Sequence, residues 1–154
     1  RLRNYPHSDR EDPIRWSLWS VNRKGEPQVV FSHQTALSFY EIGDFMPAKT
    51  HVTVPPGFRK KFPGGCVVHR AHIPAEDTGE VSGFKVTKPF RSLFDAYEAN
   101  AEPDLLNRAI LDAFAKGLIH INELEASSAD KRRKRFISHV KEIRSHRARG
   151  GAHA

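Results

Sequence analysis

Thr50-His51-Val52-Thr53-Val54 alternates polar and apolar residues and stops at Pro55-Pro56, which reads as a strand with one face buried. Around it the β signals continue. Cys66-Val-Val-His-Arg-Ala71 is a second strand, and Val81 with Phe84-Lys-Val86, split by Ser82-Gly83, predicts a hairpin. Upstream, Val29-Val30-Phe31 is a short strand and Ser32 stands as the cap of a helix over 33–41, closed by Gly43. A helix opening on Pro13 and running to about Val21 precedes them. Downstream, Phe90, Leu93, Phe94 and Tyr97 recur at helical spacing behind Pro89. Leu105, Leu106, Ala109, Ile110, Ala113 and Phe114 mark a second helix over about 103–116, and a short one follows at 121–126. A last helix to about Ser145 carries Phe136, Ile137, Val140 and Ile143 as its apolar stripe, ahead of a disordered Gly150–Ala154. The expected fold is α+β: a small mixed sheet covered by helices, with a basic C-terminal helix.

The 154 residues suffice for one ordinary domain. No apolar run approaches the roughly 18 residues of a membrane span, no signal-peptide core occupies the first 30, and one cysteine excludes an internal disulfide framework. These features point to the cytoplasm. Net charge is +7, and residues 131–149 alone carry +8, which leaves the remainder at −1. Such a basic arm suits a polyanion.

Nine histidines invite a metal reading, above all Cys66-x-x-His69-x-x-His72. On a strand, however, consecutive members of that triple point to opposite faces, so no metal is expected there. A nuclease needs convergent carboxylates, whereas Glu76-Asp77 sit beside a proline and Asp95 is most simply paired with Arg91 one helical turn away. Cys66, in a valine-rich strand, reads as a small buried residue rather than a nucleophile. No catalytic residue and no cofactor are expected. The nucleic-acid candidates are Arg59, Lys60 and Lys61, interleaved with Phe58 and Phe62, and the run Lys131, Arg132, Arg133, Lys134 and Arg135. The structural alternative is a solvated loop with both rings tucked into the core for the first group, and a solvated face for the second.

Four stretches in register resemble the AbiEi family of type IV antitoxins: Ser32-His-Gln-Thr-Ala-Leu37, Ala48-Lys-Thr-His-Val-Thr-Val-Pro55, Val68-His-Arg-Ala71 and Val86-Thr-Lys-Pro-Phe-Arg-Ser-Leu-Phe-Asp95. The likeness covers about residues 1–120, with Ser92 standing where threonine is usual. It implies that Ser32, His33, Thr35, His51, Thr53, His69, Arg70, Arg91 and Asp95 hold family positions. It also implies a division into 1–12, the end of a winged-helix domain plus linker; 13–126, the antitoxin domain; and 127–154, a basic helix and tail. Arg1–Tyr5, opening without Met, reads as the end of that upstream domain. The implied role is non-enzymatic. The domain would neutralise a nucleotidyltransferase toxin encoded nearby, functionally if not by stable contact, within an autorepressor whose operator DNA is read mainly by the winged helix. A degenerate nuclease or a non-specific nucleic-acid-binding accessory domain are the alternatives.

Overall fold

The computed structural model describes residues 17–43, 45, 49–62, 64–126 and 130–153. The expectations for 1–12 and for the start of the Pro13 helix lie outside them; of that helix, Ser17–Trp19 form a helical turn. Strands β1 (Val30–Phe31), β2 (Thr50–Val54), β3 (Cys66–Arg70), β4 (Thr78–Val81) and β5 (Phe84–Thr87) form one mixed sheet in the order β3-β2-β1-β5-β4. Helices α1 (His33–Phe39), α2 (Pro89–Glu98), α3 (Pro103–Ala115), α4 (Ile121–Ala126) and α5 (Lys131–His153) complete the α+β fold.

Pairing is antiparallel for β1–β2 and β4–β5 and parallel for β1–β5 and β2–β3. The β4–β5 hairpin turns on Ser82-Gly83, both at positive φ (53° and 86°), the mirror-image turn whose twist matches paired strands. Alternation along β2 sends Val52 and Val54 into the core, where they meet Val29, Phe31, Phe84 and Val86. A second, larger core is built by the helices around Leu37, Leu93, Ile110 and Phe136. Helix α1 joins the two, since Ala36 belongs to the sheet cluster and its neighbour Leu37 to the helical one.

Helix α3 shows how local chemistry sets an end. Glu102 caps its start, accepting from the Leu105 amide at 2.9 Å. At its close Gly117 takes φ +70°, and Leu118 N–H reaches back to the Ala113 carbonyl at 2.9 Å.

Helix α5 departs from the sequence reading at its far end. It continues to His153, through the glycines where a disordered tail was expected. Gly costs about 1 kcal/mol in a helix but does not by itself stop one. Its first turns are also part of the core: Phe136 and Val140 are fully buried and Ile137 nearly so. The apolar stripe read in the sequence at Phe136, Ile137 and Val140 thus packs into the helical core.

Candidate functional site

The β2–β3 register places Thr53 opposite His69, and His51 lies two residues before Thr53 on the same face. Beside them the chain leaves β1 through Ser32 and enters α1 at His33. Ser32 was expected to cap α1. Its hydroxyl makes no cap bond; it lies 2.8 Å from Thr53 Oγ1 and 2.7 Å from His33 Nδ1. A buried partner across the sheet has won over the local amide. Thr35 Oγ1, one turn on, accepts from the His51 amide at 2.8 Å. His33 has φ +56°, a left-handed conformation that costs a non-glycine residue roughly 1–2 kcal/mol. That turn lays its ring on His69, with centroids 3.7 Å apart and planes within 13°. His51 Nδ1 in turn lies 3.1 Å from His69 Nε2.

Three imidazoles thus share one place. Burial, and then repulsion from His69, His51 and Arg91, hold His33 down at about 3, from an ordinary value of 6.5. Burial and His69 lower His51 to about 4, and burial lowers His69 as well. All three rings are neutral at pH 7.

A second polar group lies on α2. Arg91 Nε donates to Asp95 Oδ1 at 2.9 Å and its Nη1 to Asp77 Oδ2 at 3.0 Å. Arg133, from α5, shares the same Asp77 oxygen at 3.2 Å. Burial opposes the Arg91 charge, but Asp95 and Asp77 outweigh it and hold the guanidinium ionised. Burial lifts the Asp95 carboxyl above its usual range, more than Arg91 pulls it back. The expected Arg91–Asp95 pair is present, and Asp77 joins it from the turn ahead of β4.

Of the family positions, Ser32, His33, Thr35, His51, Thr53 and His69 form one contiguous network, and Arg91 is near enough to repel a proton from His33. Arg70 leaves the group: it is exposed and donates to the Phe58 carbonyl at 2.6 Å. Ser92, the departure from the pattern, is fully buried and lies 2.6 Å from Thr87 Oγ1, donating to the Lys88 and Thr87 carbonyls.

The nucleic-acid candidates fare unevenly. Phe58 and Phe62 pack on Trp19 (centroids 5.8 and 4.7 Å) and against the sheet core, so their faces are used internally. Lys60 donates to the Trp19 carbonyl and lies over its ring; Arg59 and Lys61 are exposed. In the α5 run, Arg133 is not a solvated cation, because Asp77 and the Phe94 ring hold it. Arg132 lies 3.7 Å from Glu98, while Lys131, Lys134 and Arg135 are exposed.

The histidine trio is the feature the sequence reading missed. His69 was weighed against Cys66 and His72, its neighbours along the strand, and those three do not converge. Its partners come from β2 and from the turn after β1, and the one available signal was the shared alternation of His51-x-Thr53 with His69. Among the described residues no helix is long and apolar enough to cross a membrane. No family model matches the chain, and no curated protein matches its sequence.

Proposed function

We propose that this chain is the antitoxin domain of a bacterial type IV toxin–antitoxin regulator, neutralising a nucleotidyltransferase toxin within a DNA-binding autorepressor. One observation carries the reading. Six positions matched to the family motifs, drawn from three separate stretches, meet in a single hydrogen-bonded network, with the fourth stretch supplying Arg91 beside it. Motifs that served only as local scaffold would have no need to meet. The nuclease alternative requires carboxylates open to Mg²⁺, whereas Asp77 and Asp95 are both engaged by Arg91.

The test is growth rescue in a bacterial host made to express a nucleotidyltransferase toxin, taken from the gene neighbouring this one where that gene encodes it. The chain is expected to restore growth, and Arg91→Lys, which keeps the charge but breaks the two-carboxylate fork, is expected to restore at least tenfold fewer colonies. A well-folded, well-expressed chain that leaves the toxin unopposed would sink the reading.

Within this reading, DNA contact by this chain would run through α5 and be set by charge rather than sequence. With about five to seven phosphates neutralised, log K against log salt on duplex DNA should fall with a slope of about −4.5 to −6. Replacing the exposed Lys131, Lys134 and Arg135 with glutamine should flatten it by about 2.7 and leave the melting temperature in place. An unchanged slope in that titration would make the run a solvated face. Arg133 is left intact because its loss would strand Asp77.

A further inference from the structure

His33, His51 and His69 come from the start of α1, from β2 and from β3, and one ligand-capable nitrogen of each lies within 4.8 Å of the other two. We propose that this trio binds a late divalent transition metal, zinc foremost, through three imidazole nitrogens, with a fourth position left to water or an incoming group.

The spacing supports it. Zinc–nitrogen bonds of about 2.0–2.1 Å in a tetrahedron put neighbouring ligand atoms about 3.4 Å apart. His51 Nδ1 and His69 Nε2 face each other at 3.1 Å. Two such nitrogens hold either one shared proton or one edge of a metal's coordination shell. The donor chemistry selects the metal class, because imidazole suits zinc, nickel and copper, whereas magnesium and calcium want oxygen. Ser32 supplies the outer contact. Its hydroxyl, 2.7 Å from His33 Nδ1, is the kind of partner that fixes a liganding histidine's tautomer and leaves Nε2 for the ion. Thr53, bonded to that hydroxyl, extends the support into the sheet. The strained φ of His33 is what delivers its ring to the other two.

One rearrangement is required. A nitrogen lone pair lies in its ring plane, so parallel rings stacked at 3.7 Å cannot both aim at one ion. Binding turns His33 and His69 out of their stack, and His69 and His51, only half-buried, border solvent.

The proposal goes beyond the antitoxin reading, which needs no metal, and failure of either leaves the other standing. The test uses tag-free protein, stripped with chelator, loaded with Zn²⁺, dialysed and analysed for metal by mass spectrometry. Co²⁺ titration by visible absorption reports the geometry. One zinc per chain is expected, with tetrahedral Co²⁺ bands that Zn²⁺ abolishes. His51→Gln and His69→Gln should each retain less than a tenth of the metal, and His72→Gln, an exposed histidine just beyond β3, should retain all of it. Thermal melts confirm that the variants fold. Should one not fold, the wild-type stoichiometry and Co²⁺ spectrum still decide. No retained zinc in the wild type, octahedral Co²⁺, or full retention in folded His51→Gln would overturn the assignment.

Discussion

Acidifying the metal-free protein from pH 7 to pH 4.5 is expected to lower its stability. His33, the most buried of the three rings, contributes up to about 1.4 kcal/mol per pH unit. The half-buried His51 and His69 contribute less, because solvent screens them. The sign follows from where each ring titrates. Unfolded histidine takes a proton near pH 6.5, whereas His33 resists until about 3 and His51 until about 4, with His69 also lowered. Below about pH 6.5 the unfolded chain therefore binds protons that the folded chain refuses, and unfolding is favoured as pH falls. Above that value all three rings are neutral in both states and the curve is level. Asp95 works the other way, because its folded carboxyl takes up a proton before the unfolded one does, and it tempers the loss in the more acid part of the range. Arg91 stays charged throughout. Urea unfolding at half-unit pH steps gives the slope, and a His51→Gln, His69→Gln double variant should lose part of it and keep the share of His33, whose own burial is the main cause of its shift. A melting temperature that stays level between pH 7 and pH 5 would contradict the neutral cluster.

Phe136→Ala should be the most damaging single truncation, at about 3–5 kcal/mol. The ring is completely buried and touches three other aromatic rings, Phe90, Phe94 and Tyr97, at centroid distances of 5.6, 5.8 and 5.2 Å. These come from α2, so the variant opens a cavity at the seam between α2 and α5. Ile137 and Val140 remain as the neighbouring anchors of α5. The urea midpoint should drop accordingly, and amides of α5 should lose hydrogen-exchange protection ahead of those in β2. Arg135→Gln, one residue away but exposed, should move the midpoint by no more than about 0.5 kcal/mol. A Phe136→Ala loss below 1 kcal/mol would mean that α5 does not share the core.

The elements with a clear period were legible in the sequence. Pro89 with Phe90, Leu93, Phe94 and Tyr97 marks α2, and the alternation of 50–54 marks β2. Harder to see was what pairing does to side chains. Nothing within Cys66–Arg70 says that Thr53 will stand opposite His69, and without that register the three histidines are unrelated residues. Ser32 misleads for the same reason: its local option, the cap, is visible in sequence, while Thr53, 21 residues on, is not. Arg133 reads as one cation in a run of five, and only the tertiary packing brings Asp77 to it across 56 residues. Six of the motif positions converge while Arg70 does not, and that convergence belongs to the sheet rather than to any one stretch.

The shortest strand sits at the middle of the sheet. β1 contributes two residues, yet it joins β2–β3 on one side to β4–β5 on the other, and its parallel partner Val86 lies 55 positions beyond Phe31. The β4–β5 hairpin can form by itself within about 1–10 μs. Joining it to β1 means closing a loop more than fifty residues long before any central contact repays the lost chain entropy. Such long-range pairing is characteristic of slow-folding topologies. The Ser32–His33 corner lies wholly on the other side of the β1–β5 seam. Its partners Thr53, His51 and His69 belong to β2 and β3. The polar site is therefore assembled by the β1–β2–β3 half of the sheet and does not depend on the long closure.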